Sequence, residues 1–155
     1  MNGRIILPNE FLSLAEENLK DGKSVKILAD GPSMFPFIHG ARDLVEIIPV
    51  RPDENPMLWE VYFFIHNGKY KIHRFVGRED DFFIMRGDGN LKISEKVKQK
   101  DIIGKLYRIH KPDGTVIDCT SKKWLRKGCT WNKLLPLRRY MLAAVRRLYR
   151  FGIIR

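Results

Sequence analysis

The chain has 155 residues, 44% of them hydrophobic, which suits one domain with a real core and excludes wholesale disorder. Its net charge of +11 is unevenly placed: residues 1–118 carry 18 Lys plus Arg against 18 Asp plus Glu, and residues 119–155 carry no acid at all. No apolar run approaches the roughly 20 residues of a membrane-spanning helix, and Met1–Asn9 is too short in apolar residues for a secretory signal, so a cytoplasmic location is expected. Cys119 and Cys129 fit no zinc spacing, a disulfide is not expected in a reducing compartment, and no metal site or cofactor is anticipated.

The first expected element is a helix over residues 9–20, with Asn9 as N-cap, Glu10 in the first turn, and Phe11, Leu14, Ala15 and Leu19 recurring at helical spacing before Asp21-Gly22 stops it. Short strand patterns follow at Ser24–Ala29, Leu44–Ile48 and Glu60–Ile65. His66-Asn67-Gly68 is a tight hairpin turn, and Lys69–Val76 returns as the partner strand. Phe82–Arg86, Ile102–His110 and Thr115–Asp118 complete the set. The pattern predicts a mainly β fold, a coiled sheet or partly open barrel over residues 1–118 with one helix in front.

Residues 119–155 form a basic tail, expected to be helical around 137–151. At 100° per residue, Arg138, Arg139, Arg146, Arg147 and Arg150 fall in one half of the wheel. Leu137, Tyr140, Met141, Ala144, Val145, Leu148 and Phe151 fall in the other. Such a helix can lie on an anionic membrane, which would make the location peripheral on the inner membrane face, or pack on the domain or on a second copy, which leaves the oligomeric state open. Nucleic acid is not indicated, because the aromatics do not interleave with the arginines as a stacking platform requires.

Three segments carry candidate chemistry. Gly31-Pro32-Ser33-Met34-Phe35-Pro36 is a loop of restricted geometry between two strands, able to hold a serine hydroxyl toward a cleft and to offer backbone N–H groups to an oxyanion. Tyr70-Lys71-Ile72-His73-Arg74 places a histidine, the side chain most often used as a base near neutral pH, on a strand, with Lys71 on the same face as a rival base. Gly87-Asp88-Gly89-Asn90 is a turn whose Asp88 could orient His73. His39, His66 and His110 belong to no such set and are expected at surface or loop positions.

In this order and spacing, Gly-x-Ser-Met-x-Pro, His-Arg-x-Val and Gly-Asp-x-Asn resemble the boxes of the signal peptidase and LexA-like peptidase superfamily, the S24/S26 families. Gly22-Lys23-Ser24-Val25, Gly40-Ala41-Arg42-Asp43-Leu44-Val45 and Ile102-Ile103-Gly104-Lys105-Leu106 extend the resemblance over about residues 20–110, with the soluble branch that lacks a membrane anchor as the nearest pattern. The resemblance implies a coiled-sheet β domain that cleaves a leader or precursor peptide through an acyl-enzyme. Ser33 matches the nucleophile and His73 the general base. Asp88 and Asn90 match the supporting Gly-Asp box, Arg74 accompanies the base, and Gly31 and Met34 flank the oxyanion region. In the His-type members an acidic residue a few positions beyond the Gly-Asp box completes a triad. Here Leu91-Lys92-Ile93-Ser94 offers none, so the expected machinery is a Ser33–His73 dyad helped by Asp88. Two other outcomes stand beside a peptidase: an inactive peptide-binding module of the same fold, and a LexA-like regulator. The regulator would need a DNA-binding helix pair for which the single short N-terminal helix leaves no room.

Overall fold

The structure is a computed structural model and describes residues 9–153. The apolar stretch Ile5–Pro8 and the side chain of Asn9, the expected cap, lie outside the described part. The described residues are mainly β, with eight strands in one antiparallel sheet that curls into a half-barrel, and three α-helices. The elements run α1 (Asn9–Lys20), β1 (Val25–Leu28), β2 (Leu44–Pro49), β3 (Val61–His66), β4 (Lys69–Glu79), β5 (Phe82–Arg86), β6 (Glu95–Val97), β7 (Ile102–His110), β8 (Val116–Asp118), α2 (Lys122–Lys133) and α3 (Leu135–Arg150). The sheet order is β1-β2-β7-β3-β4-β5-β6, with β8 pairing β7.

Strand β3 explains why the sheet curls. Val61–Phe64 are buried on both faces of the strand. Val61 and Phe63 join the larger core with Leu19, Ile27, Val45, Leu106 and Trp124, whereas Tyr62 and Phe64 join Phe75, Phe83, Met85 and Val97 in a second core. A flat sheet with one covered face would leave one of these sets in water; curling brings β5 and β6 over the second. The β3–β4 hairpin closes through Asn67 and Gly68, both with positive φ (51° and 71°), the geometry that favours Asn-Gly in a two-residue turn. Its register pairs Tyr62 with His73, Val61 with Arg74 and Phe64 with Lys71.

Helix α1 lies on the first core through Leu12, Ala15 and Leu19, while Phe11 and Leu14 remain exposed. Ala15 and Leu19 are buried as expected, but the buried face turns toward Leu12 and away from Phe11 and Leu14, and Glu16 on that side accepts a hydrogen bond from the Tyr70 hydroxyl at 2.6 Å. Two elements were not expected from the sequence. The three-residue strand β6 is too short to show alternation. Helix α2 reads as polar because its buried residues are Trp124, Gly128 and Trp131 within a run of lysines. Ser121 caps α2, its hydroxyl accepting the Trp124 N–H at 3.2 Å.

The basic tail is two helices: α2 enters the first core through Trp124, and α3 packs on α2 and on the serine loop. Trp124 and Trp131 meet Phe37 edge-on, with centroids 5.6 and 5.7 Å away. Tyr149 of α3 reaches the serine loop, 5.6 Å from the Phe35 ring and 4.9 Å from His39. Arg138 does not sit on the exposed basic side of α3. It is buried, stacks on Trp131 and donates to the carbonyls of Trp131 (2.8 Å) and Asn90 (3.3 Å). His39 lies in the serine loop, as expected, with Nε2 3.2 Å from the Tyr149 hydroxyl, whereas His66 ends β3 and His110 ends β7, its Nε2 2.8 Å from Glu46 Oε2.

Candidate active site

Ser33 sits in the loop between β1 and β2, which is braced from three sides. Within the loop, the Phe35 N–H bonds the Pro32 carbonyl, and the Phe37 and Ile38 N–H groups bond the Met34 carbonyl. At its end, buried Asp43 accepts from the His39 N–H at 2.8 Å and from Lys111 Nζ at 2.5 Å, while Lys111 also reaches the Phe37 carbonyl. Across from it, the Gly89 N–H donates to the Ser33 carbonyl at 2.8 Å. The β5–β6 turn can approach so closely because it is built on glycine: a Cβ on Gly87 would sit 2.4 Å from the Ser33 carbonyl oxygen and 3.1 Å from His73 Nε2, and one on Gly89 would sit 2.5 Å from the Pro32 oxygen. The same numbers put His73 Nε2 and the Ser33 backbone on the same side of Gly87, where its missing side chain would stand.

His73 is buried, packs edge-on against Phe64, and hydrogen-bonds through Nδ1 to Glu95 Oε2 at 2.7 Å. That bond leaves Nε2 as the nitrogen toward Ser33. Glu95 is the residue missed in the sequence. It is the first residue of β6, one position past the stretch 91–94, and it faces inward because β6 alternates buried, exposed, buried, with Glu95 opposite Met85. Its other oxygen accepts Lys71 Nζ at 2.8 Å. Burial alone would raise the Glu95 carboxyl; the hydrogen bonds and charges of His73 and Lys71 outweigh it and hold the group down at about 2. Lys71 is thereby committed to a carboxylate.

Asp88 does not contact His73. Both its oxygens are taken by Arg74, Nε to Oδ1 at 2.8 Å and Nη2 to Oδ2 at 2.7 Å, a bidentate buried pair. Arg74 also donates to the Trp59 carbonyl at 2.6 Å and lies against the rings of Phe37 and Trp124. The Asp88 carbonyl accepts the Trp131 indole N–H at 2.8 Å. Arg74 and Asp88 therefore form a strut between the turn, β4 and α2. On a strand, successive side chains point to opposite faces, so His73 turns to Glu95 while its neighbour Arg74 turns to Asp88.

Ser33, His73, Glu95, Lys71, Asn90, Gly31 and Met34 line one cavity of about 370 Å³, whose remaining wall is apolar, including Leu12, Ile27, Ala29, Phe63 and Ile72. Gly31 has φ of +70° and donates to Asp30 Oδ1, and Met34 is buried at the cavity floor. The N–H groups of Ser33 and Met34 have no backbone partner, and no hydrogen bond joins the Ser33 hydroxyl to His73, among the described residues. Two strand edges border the space: β1 pairs only with β2, and β4 pairs with β5 only from Arg74 onward, so residues 70–73 have one open edge among the described strands. Such a site can bind an extended chain and activate a hydroxyl beside it.

Comparison of the chain with family models, with curated proteins and with solved structures returned no match in any of the three.

Proposed function

We propose that the chain is a serine endopeptidase of the signal-peptidase-like kind, acting on an extended segment of a leader or precursor peptide. The observation that carries this reading is the buried Glu95–His73 pair at 2.7 Å, with His73 Nε2 and the Ser33 carbonyl both close against Gly87. A carboxylate on Nδ1 fixes the tautomer and stabilises the imidazolium that forms when Nε2 takes a proton. Asp88, first assigned that role, instead supports the site through Arg74.

In the proposed reaction the peptide lies between the open edges of β1 and β4, with an apolar side chain in the cavity. Ser33 Oγ attacks the scissile carbonyl carbon as His73 Nε2 takes the hydroxyl proton. The oxyanion is met by N–H groups of the serine loop, those of Ser33 and Met34 being unpaired among the described residues. His73 returns the proton to the leaving amine, the C–N bond breaks, and water releases the acyl group from Ser33 with His73 again as base.

A fluorophosphonate probe tests this directly, because labelling needs only an activated hydroxyl. The expected result is labelling of the wild type that vanishes in Ser33→Ala and His73→Ala and slows strongly in Glu95→Gln. A folded wild type that stays unlabelled, or labelling that survives in His73→Ala, overturns it. The second reading, a peptide-binding module without catalysis, is favoured by the lack of a direct Ser33–His73 hydrogen bond and becomes the better one in that event.

A further inference from the structure

Helix α3 has three faces. One packs on the domain, through buried Arg138 and Leu142 and half-buried Tyr149. The second is apolar and open: Leu137 is 56% exposed, Tyr140 69%, Leu148 37% and Phe151 72%, with exposed Ala144 among them. At 100° per residue these five fall in a stripe about 80° wide. The third is basic: Arg139, Arg146, Arg147 and Arg150 are exposed and lie between the packed face and the stripe, with Arg147 beside the stripe. No acidic residue follows Asp118. Continuing past the helix, Ile153 is 67% exposed.

The charge decides what covers this surface. A second copy laid on the stripe would bring the same four arginines against each other with no carboxylate in the segment to offset them. A nucleic acid would engage the arginines and leave four large apolar side chains in water. A bilayer with anionic headgroups takes both faces at once, apolar groups into the headgroup–acyl boundary and arginines at the level of the phosphates. No described helix is long and apolar enough to cross a membrane, so this one lies on it.

We propose that α3 docks the chain peripherally on an anionic bilayer, with Leu137, Tyr140, Leu148 and Phe151 inserted and Arg139, Arg146, Arg147 and Arg150 on the headgroups. The docked helix is tied to the candidate site at both ends. Arg138 holds the Asn90 carbonyl, and Tyr149 packs on Phe35 and His39 of the serine loop. The cavity is thereby held near the bilayer surface, where a membrane-proximal peptide can reach it. The docking itself rests on α3 alone and does not require the site to be catalytic.

The test is co-sedimentation of the full chain with phosphatidylcholine vesicles, with and without phosphatidylglycerol, at low and high salt. The wild type is expected to pellet with the phosphatidylglycerol vesicles only, and less so in high salt. Tyr140→Ser with Phe151→Ser changes the two most exposed positions of the stripe and leaves the packed face intact, and Arg146→Glu with Arg147→Glu reverses charge on the exposed side. Each double variant should keep the wild-type melting temperature and lose at least about tenfold in binding. Wild type that stays in the supernatant overturns the proposal. So does a stripe variant that binds like wild type, self-association that the stripe variant abolishes without any vesicle binding, or a salt-sensitive shift with DNA in a protein that ignores vesicles.

Discussion

Two carboxylates, Asp88 and Glu95, could each have oriented His73, and the difference between them is a matter of one peptide unit. Asp88 stands on the turn beside the serine loop, but its oxygens meet Arg74, the residue after His73, on the other face of β4. Glu95 reaches His73 from β6. The two acids therefore fail differently when neutralised. Glu95→Gln keeps the shape and removes the charge that stabilises the imidazolium. The rate of fluorophosphonate labelling is expected to fall by about 10²–10⁴, together with the part of the stability that the Glu95 anion contributes through His73 and Lys71. Asp88→Asn leaves Arg74 buried without its anion, which costs about 3–5 kcal/mol, read as a lowered urea midpoint. A stability loss in Glu95→Gln as large as that in Asp88→Asn, with labelling unchanged, would reverse the assignment.

At the scale of elements, the site is a meeting of one loop, one turn and two strands, and helix α2 holds them in place. Gly128 is where α2 touches Arg74: a Cβ there would lie 2.4 Å from Nη1 and 2.9 Å from Cζ. Arg74 has little freedom to yield, since Asp88, the Trp59 carbonyl and the rings of Phe37 and Trp124 surround it. Gly128→Ala should therefore destabilise the protein by about 1–3 kcal/mol through overpacking, although alanine is the better helix former. Gly77→Ala, where a Cβ would meet nothing within 4 Å, is the control and should stay within about 0.5 kcal/mol. Thermal melts of the two variants decide it; equal melting temperatures would mean that α2 does not brace Arg74.

Over the whole molecule, buried or half-buried carboxylates tie separate elements together, and this sets how stability depends on pH. Burial would raise Glu16 and Glu95, but hydrogen bonds from Lys20 and Tyr70 to Glu16, and from His73 and Lys71 to Glu95, lower both. The hydrogen bond from Lys105 lowers Glu54. A carboxyl whose folded value is depressed binds its proton less readily in the folded chain. Its contribution is then fully present above the unfolded value and is lost as pH falls through the folded one. For Glu95 that window runs from the ordinary value of 4.5 down to about 2. Urea midpoints are expected to fall as pH drops through this range, and less steeply in Glu95→Gln. Parallel slopes for the two proteins would show that Glu95 carries no such coupling. The excess positive charge of +11 adds to the effect, since each carboxylate neutralised increases self-repulsion.

The local code was enough for the hairpin and for the longer strands along the chain. Asn67-Gly68 demands positive φ wherever it folds, and the runs at 61–66 and 102–110 are long enough for β-branched and aromatic residues to declare themselves. Strand β6 and helix α2 are legible only in the folded chain. Three residues carry no periodicity, and the buried face of α2 is two tryptophans and a glycine whose partners, Phe37, Arg74 and Asp88, are distant in sequence. The phase of α1 and the burial of Arg138 depended likewise on what lies opposite. The pairing of His73 with Glu95 rather than Asp88 was decided last of all, because a turn's sequence does not say which face of a neighbouring strand its side chain will meet. Only the register of β4 against β5, and of β5 against β6, brings Glu95 to His73 and leaves Asp88 to Arg74.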